Sequence, residues 1–265
     1  MNELHKPKPR IGFLGCGKIG SAMLEDMLAR GMGDVAFVQA NTYRDEKNRF
    51  PVVRAQDADL LAQTDMVVES ATPDALKAAF DGIMAHCDLM VFSHTAFADR
   101  DFEDHARKTA ARYGRRIYLP HGAILGLDGI ADGRALITEV SVVTTKSPAS
   151  LGLQEGEQNG AQSDGRIVVY DGPTREACLR FPRNVNVHAA VALAGLGFDN
   201  TRSVIMADPQ TTTNDHLITV KGNGVNFRIE VSSLATGGVT ALYTPYSACA
   251  CLAKVLEYDG GFRFI

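Results

Sequence analysis

A glycine-rich turn near the N-terminus constrains the fold of this chain more than any other feature. Gly15-Cys16-Gly17-Lys18-Ile19-Gly20 follows the apolar run Ile11–Leu14 and opens Lys18–Ala29, whose apolar residues recur at helical spacing. A strand, a G-x-G-x-x-G turn and a helix in this order are typical of the unit that binds a dinucleotide. The glycines permit a tight turn, the approach of a pyrophosphate and close helix packing. The pattern therefore predicts a cofactor-binding turn made of Gly15, Gly17, Lys18, Ile19 and Gly20; the alternative is a glycine turn that holds no ligand.

Short apolar strands and helical patterns continue to alternate up to about residue 122. Met66–Glu69 and Leu89–Ser93 are apolar enough to be buried on both faces, which is typical of a parallel sheet. Thr72-Pro73-Asp74 predicts the start of a helix, because a hydroxyl cap precedes a proline and an acid in the first turn. Residues 1–122 are therefore predicted to form a doubly wound parallel α/β domain of the Rossmann type.

The pattern changes to period-two alternation in residues 123–244. Five segments alternate in this way, and Gly222-Asn223-Gly224 separates the last two as a hairpin turn. Helical patterns lie at Thr174–Leu179 and Val185–Ala194. We expect an α+β domain with a largely antiparallel sheet, which contributes to substrate binding and oligomerisation. A final apolar helix at 245–257 is expected to pack back on the first domain.

Composition excludes several classes of function. The 265 residues carry a net charge of −4, which gives no electrostatic reason to expect nucleic acid or an anionic membrane surface as a partner. No apolar run approaches the ~18–20 residues of a membrane span. The five cysteines form no C-x-x-C pair and the histidines lack the spacing of metal ligands, so we expect free thiols, no metal and a cytoplasmic protein.

The end of the second strand bears on the choice of cofactor. NAD-preferring sites place an acid there for the ribose hydroxyls, but this chain reads Gln39-Ala40-Asn41-Thr42-Tyr43-Arg44 and has no acid before Asp45. Arg44 is suited to pair with a 2′-phosphate. The sequence therefore favours NADP, or dual use of NADP and NAD, while the alternative is that Arg44 is only a solvated loop residue.

Two polar segments of the second half have no clear role by spacing alone. His216 opens a strand after a polar loop, and such a histidine is most often a surface residue. Asn184 and Asn186 precede a helix and fit the role of helix caps.

Several segments together resemble the L-aspartate dehydrogenase family over nearly the whole chain. They are Ile11–Gly20, Glu69-Ser70-Ala71, Gly122-Ala123-Ile124 with Asp128, the block Phe181–Val187, Ala192–Gly197, and Ala207-Asp208-Pro209 with His216. The resemblance implies a Rossmann domain followed by an α+β domain. It also implies oxidation of aspartate through iminosuccinate to oxaloacetate and ammonia, or the reverse amination. Separately, we expect a homodimer or homotetramer.

The resemblance also implies roles for individual residues. The family's catalytic acid/base matches His216, and its nicotinamide contacts match Ala123 and Asn186. We therefore expect a small-molecule substrate to meet Asn184, Asn186 and His216. An ordinary histidine pKa near ~6.5 suits proton transfer near neutral pH.

One segment departs from the family pattern. The family has an N-P-K-T-S stretch where this chain reads Gly237-Gly238-Val239-Thr240-Ala241, so Val239 replaces a lysine. Aspartate has two carboxylates, and the second one needs a cationic partner once it is desolvated. Arg183 and Lys221 are the candidates for that partner. The alternatives are a dehydrogenase or imine reductase of the same fold acting on another amino or hydroxy acid, and a non-catalytic nucleotide-binding protein.

Overall fold

A computed structural model describes residues 7–153, 161–163, 165–235 and 241–256. Contacts divide the chain into two compact units. The first comprises the chain up to Val91, Lys108–Pro120 and the stretch from Ala248, and the second comprises Phe92–Arg107 and His121–Ser247.

The first unit contains a six-stranded sheet with helices between its strands. Its strands are β1 (Arg10–Leu14), β2 (Asp34–Gln39), β3 (Val52–Val53), β4 (Met66–Glu69), β5 (Asp88–Val91) and β6 (Ile117–Tyr118). The intervening helices are α1 (Lys18–Arg30), α2 (Ala58–Ala62), α3 (Pro73–His86) and α4 (Arg100–Tyr113), the last of which contributes residues to both units. The strand order is β3-β2-β1-β4-β5-β6 and every pairing is parallel, which confirms the predicted doubly wound fold.

Local sequence signals explain how this sheet is built. All four residues of β4 are buried, as expected for a strand covered on both faces. Thr72 caps α3 by accepting a hydrogen bond from the Ala75 amide at 3.2 Å, and Pro73 occupies the first turn.

The second unit contains a six-stranded sheet of mostly antiparallel strands. Its elements are α5 (Leu127–Asp132), β7 (Ile137–Lys146), α6 (Pro148–Leu151), β8 (Ala161–Ser163), β9 (Arg166–Pro173), α7 (Thr174–Arg180), α8 (Asn186–Ala194), β10 (Thr201–Ala207), β11 (Thr213–Gly222), β12 (Asn226–Leu234) and α9 (Tyr243–Leu256), which contributes to both units. The order is β12-β11-β7-β10-β9-β8, and only β7 and β10 pair in parallel among the described strands. The predicted hairpin between β11 and β12 is confirmed.

The compact units and the domains predicted to meet at residue 122 differ in one segment. The predicted first domain, residues 1–122, includes Phe92–Arg107, but this segment groups with the second unit. The reason is a 3-10 helix, His94–Ala98, that is hydrogen-bonded to the segment before α8 and to the first residue of α8. The Thr95 hydroxyl donates to the carbonyl of Pro182 at 3.2 Å, and its amide donates to Asn186 Oδ1 at 3.3 Å. Long-range ties of this kind leave no local sequence signal.

The inner face of the second sheet changes from apolar to polar along its strands. Val140 and Val142 of β7 pack with Ile218 of β11 and Val191 of α8 in one buried cluster. The same faces of these strands continue into four buried polar residues: Thr144, Lys146, Asn214 and His216. Because β7 and β11 are antiparallel, the end of one and the start of the other meet at this polar end.

None of the described helices has the length and hydropathy needed to cross a membrane. Within the described ranges, no group of three or more histidine, cysteine or acidic side chains is placed to hold a metal ion. All five cysteines are free thiols.

Candidate active site

The glycine turn of the first unit is held in shape by the strand beside it. Gly15 has φ of +86°, which favours glycine, and a Cβ there would lie 2.8 Å from the backbone of Ala71. The Ser70 hydroxyl donates to the Gly15 carbonyl at 3.1 Å, and a Cβ on Gly20 would clash with both groups. Packing within the protein therefore explains two of the three glycines.

The third glycine, Gly17, is not explained by packing. Its φ of −80° is open to any residue, and a Cβ built there would meet no described atom within 4 Å. Gly17 directly precedes α1, where Lys18 and Ile19 follow, and the first turn of α1 carries no acid. A glycine facing open space at the positive end of a helix dipole fits a cradle for a pyrophosphate. The turn thus has the shape and charge that a nicotinamide dinucleotide requires.

The end of β2 carries two guanidinium groups, one of which the sequence reasoning missed. Arg44 donates to the carbonyl of Tyr43 at 2.8 Å, and Arg54 donates to the carbonyl of Asn41 at 2.6 Å. Arg54 comes from the chain after β3, so only the pairing of β2 with β3 brings it here. Asp45, the first acid in this stretch, is engaged by Arg49 at 3.0 Å.

His216 lies in a buried polar cluster of the second unit rather than on the surface. Its side chain is 4% exposed. Thr144 Oγ1 lies 2.8 Å from His216 Nδ1 and 2.7 Å from Nε2 of His188, which is fully buried on α8. The surface-histidine alternative is therefore wrong.

The histidine pKa values in this cluster differ from the ordinary value of ~6.5 that the sequence predicts. Burial, and then the charge of Lys146, lowers the pKa of His216 to about 3. Burial, followed by His216 and Lys146, places the pKa of His188 well below its usual 6.5. Both imidazoles are consequently neutral near pH 7. His216 therefore has a nitrogen lone pair available, but the low pKa makes it a weak base while the charge of Lys146 is not offset.

Lys146 is a buried cation that the sequence reasoning missed. Lys146 is 3% exposed, and burial lowers the pKa of its ammonium group to about 8. Its Nζ donates to the Asn184 carbonyl at 3.4 Å, and no carboxylate pairs with it in the part of the chain that the structure describes. The period-two pattern of β7 did hold a signal, since it puts Lys146 on the same face as the buried Val142. A buried cation that lacks a counter-charge is suited to bind an anion.

Neither asparagine occupies the N-cap position of α8, which is Val185. Asn186 Oδ1 instead accepts the Thr95 amide hydrogen bond described above. Asn184 Oδ1 is buried and has no hydrogen-bond partner among the described atoms. Asn184 lies near Lys146 through its backbone carbonyl, and its Oδ1 has the capacity to accept a hydrogen bond. Ala123 packs against the apolar cluster of the second unit.

The cations proposed to replace the family's lysine are both exposed. Arg183 lies on the surface, and Lys221 pairs with Glu139 at 3.0 Å. Neither side chain is buried in the structure, and their role as carboxylate partners stays a prediction. Gly237 and Val239 lie outside the described residues.

Family models match both halves of the chain. One described as the NAD-binding domain of homoserine dehydrogenase matches residues 15–120, and one described as the C-terminal domain of aspartate dehydrogenase matches residues 128–255. With the parallel sheet and its glycine turn, these matches define the class: the chain is a dinucleotide-binding oxidoreductase that uses NAD or NADP.

Individual relatives identify the family within that class. L-aspartate dehydrogenase of Methanococcoides burtonii is 34% identical over 94% of this chain and 97% of its own length. L-aspartate dehydrogenase 1 of Bordetella pertussis is 35% identical over 85% of this chain and 87% of its own. The crystal structure of aspartate dehydrogenase from Thermotoga maritima shares the fold, with a TM-score of 0.76 and 24% identity over 98% of this chain and all of that one. The chain belongs to the L-aspartate dehydrogenase family.

Proposed function

We propose that this enzyme interconverts L-aspartate and oxaloacetate with NADP or NAD as the redox partner. In the oxidative direction, aspartate, the oxidised cofactor and water give oxaloacetate, ammonium, the reduced cofactor and a proton. The observation that supports this most strongly is the buried cluster of His216, Lys146 and Asn184, which supplies a base, a cation and a hydrogen-bond acceptor. An amino acid presents the complementary groups, namely a carboxylate and an ammonium.

His216 is the proposed proton-transfer residue of this reaction. The neutral imidazole of His216 takes a proton from the substrate ammonium, which leaves an amine lone pair to form the C=N bond. The nicotinamide, when bound, accepts the hydride from Cα. After that proton is released to solvent, neutral His216 takes a proton from the water that attacks the imine carbon and returns it to the nitrogen, which leaves as ammonia when the C–N bond breaks. The turn at Gly15–Gly20 would hold the cofactor's pyrophosphate, and Ala123 and Asn186 are the proposed nicotinamide contacts.

Lys146 is the proposed partner of one substrate carboxylate. A charged carboxylate placed beside Lys146 offsets the positive charge that lowers the pKa of His216. Substrate binding would therefore raise the basicity of His216 when the amino acid is in place.

The preferred cofactor is proposed to be NADP. The end of β2 carries the amide of Gln39 instead of a carboxylate, and Arg44 and Arg54 stand beside it. Two guanidinium groups complement a 2′-phosphate, whereas a ribose diol calls for an acid.

We further propose a homo-oligomer, a dimer or a tetramer, in the cytoplasm. The outer face of the second sheet supports self-association, because Leu217, Val143 and Val204 lie side by side across three strands and are half-buried. The five free thiols are consistent with a reducing compartment.

A second candidate function is the oxidation of a monocarboxylic amino acid. Lys146 is the one buried cation of the second unit among the described residues, and a four-carbon diacid has two carboxylates to satisfy. This candidate predicts that pyruvate or 2-oxobutyrate exceeds oxaloacetate as the amination substrate.

The test is reductive amination of these three oxo acids by the purified enzyme. We expect the highest kcat/KM for oxaloacetate. His216→Asn should lower kcat by about 10²- to 10⁴-fold, the typical contribution of general acid–base catalysis. Its affinity for NADPH, measured by fluorescence titration, should not change. A near-normal kcat in His216→Asn would remove the histidine from the mechanism.

A further inference from the structure

A continuous chain of buried hydrogen bonds runs from His216 through the core of the second unit to a backbone carbonyl. We call it the hydroxyl–imidazole chain. Its members, all at most 4% exposed, are His216, Thr144, His188, Ser203 and Thr174. Beyond the two contacts of Thr144 already described, Ser203 Oγ lies 2.8 Å from His188 Nδ1 and 2.7 Å from Thr174 Oγ1.

The far end of the chain fixes its direction. Thr174 Oγ1 lies 2.9 Å from the carbonyl oxygen of Thr201, which can only accept. The single hydroxyl hydrogen of Thr174 is therefore used there, so the Ser203 hydroxyl must donate to Thr174. Ser203 then has no hydrogen left for His188, and His188 Nδ1 must carry the proton that Ser203 Oγ accepts.

The protonation of His188 carries this direction across the imidazole ring. Its full burial keeps the ring neutral, so a proton on Nδ1 leaves Nε2 as an acceptor. The Thr144 hydroxyl therefore donates to His188 Nε2. Its oxygen is then an acceptor toward His216, whose Nδ1 must carry a proton.

We propose that the hydroxyl–imidazole chain holds neutral His216 as its Nδ1–H tautomer, with the lone pair on Nε2, so that Nε2 is the nitrogen that accepts the proton from the substrate. This inference rests on the proposed function for the role of His216, but not for its tautomer. His188, Thr144, Ser203 and Thr174 are positioning residues, because they act through His216. In water, the two neutral tautomers interconvert, and one of them would place N–H where the base is needed.

The hydroxyl–imidazole chain also determines which protons move when His216 is protonated. When Nε2 takes the proton, His216 becomes an imidazolium whose Nδ1–H still donates to Thr144. No other proton in the chain has to move. The chain therefore orients the base without acting as a proton wire.

Thr174→Val is the variant that tests the direction, because valine has almost the shape of threonine and lacks the anchoring hydroxyl. Without it, the forward direction leaves the Ser203 hydroxyl with no acceptor. The reversed direction satisfies it: Ser203 donates to His188 Nδ1, His188 Nε2–H donates to Thr144, and Thr144 donates to His216 Nδ1. His216 would then carry its proton on Nε2. Thr174→Ser keeps the hydroxyl and is the matched control.

The first readout is the ¹⁵N NMR spectrum of the histidine ring nitrogens near pH 7. The His216 signals are those that are missing from the spectrum of His216→Asn. We expect a protonated Nδ1 and an unprotonated Nε2 in the wild type and in Thr174→Ser, and the opposite pattern in Thr174→Val. Ser203→Ala, which frees His188 to take either tautomer, is expected to give a mixture and serves as a second variant if Thr174→Val does not fold. A protonated Nε2 in the neutral wild-type ring overturns the proposal, as does an unchanged tautomer in folded Thr174→Val.

The second readout is the kinetics of oxaloacetate amination. In Thr174→Val, His216 regains its active Nδ1–H tautomer only when the Ser203 hydroxyl is left without an acceptor. The cost of that buried unpaired hydroxyl predicts a kcat about tenfold to a hundredfold below that of Thr174→Ser, while KM and NADPH affinity are retained. Equal kcat values in the two variants would overturn the proposal. If the tautomers behave as expected but no variant, nor the wild type, aminates oxaloacetate, the proposed function fails and the tautomer assignment stands.

Discussion

Replacing Lys146 with methionine should stabilise the protein and impair its proposed activity. Methionine has nearly the same length as lysine and carries no charge, so it suits a site that is 3% exposed. The pKa of Lys146 falls from 10.5 to about 8 because burial disfavours the charged form. At about 1.4 kcal/mol per pH unit, this difference means that the cation destabilises the folded protein by about 3 kcal/mol. Lys146→Met should raise the free energy of unfolding near pH 7 by that amount.

The sign of the effect gives it a pH dependence. The folded-state pKa lies below the unfolded value, so the unfolded state binds more protons between pH 8 and 10.5. The wild type is destabilised in full below pH 8 and recovers as the pH rises toward 10.5. The difference between Lys146→Met and wild type should accordingly shrink as the pH is raised.

Denaturant unfolding near pH 7 and near pH 10 measures both quantities. Lys221→Met is the matched control, because Lys221 is an exposed lysine paired with Glu139 and its replacement should change stability by at most about 1 kcal/mol. The KM for oxaloacetate should rise at least about 30-fold in Lys146→Met, since removing one partner of a desolvated charge pair costs roughly 2–5 kcal/mol. A variant that is less stable than wild type at neutral pH, or a stability difference that does not vary with pH, would refute the reasoning.

Three further predictions follow from other parts of the structure. Gly17→Val should bind NADPH at least about tenfold more weakly and keep its unfolding free energy, because the new side chain points into space that the protein leaves open; unchanged affinity in a fluorescence titration would show that no pyrophosphate lies there. Arg44→Ala and Arg54→Ala should each raise the Kd for NADPH about fivefold or more and leave that for NADH nearly unchanged; equal effects on both cofactors, or a wild type that strongly prefers NADH, would contradict the 2′-phosphate site. Because burial places the pKa of His188 and of His216 below the unfolded value, the unfolded state binds more protons as the pH falls below about 6.5, and each histidine should cost up to about 1.4 kcal/mol of stability per pH unit. Denaturant unfolding between pH 7.5 and 5 measures how steeply the free energy of unfolding falls with pH. This slope should be about half as steep in His216→Asn as in the wild type, and an equally steep slope in that variant would contradict the burial argument.

The fold was predictable where short-range patterns determine it. The strand, glycine turn and helix at Ile11–Arg30 and the capped start of α3 are local features, and the structure has both. The grouping of Phe92–Arg107 with the second unit was not predictable, because it depends on hydrogen bonds from Thr95 to residues about ninety positions away.

The candidate site was predictable only in part, for a similar reason. His216 was identified through the family resemblance, and its burial came from the register that pairs it with Thr144 across β11 and β7. His188 lies on a helix that contacts this sheet, so no spacing in the sequence relates it to His216. The expected pKa near 6.5 was wrong because a sequence pattern does not report desolvation.

The most direct test of the central claim is the ammonia dependence of NADPH oxidation in the presence of oxaloacetate, with the amino acid product measured alongside. A dehydrogenase that acts on aspartate consumes NADPH only when ammonia and oxaloacetate are both present, and it forms one L-aspartate for each NADPH oxidised. The same assay with NADH covers dual cofactor use. NADPH or NADH oxidation that proceeds equally without ammonia would show reduction to a hydroxy acid, and no oxidation of either cofactor would show a protein without this activity; either result would contradict the account.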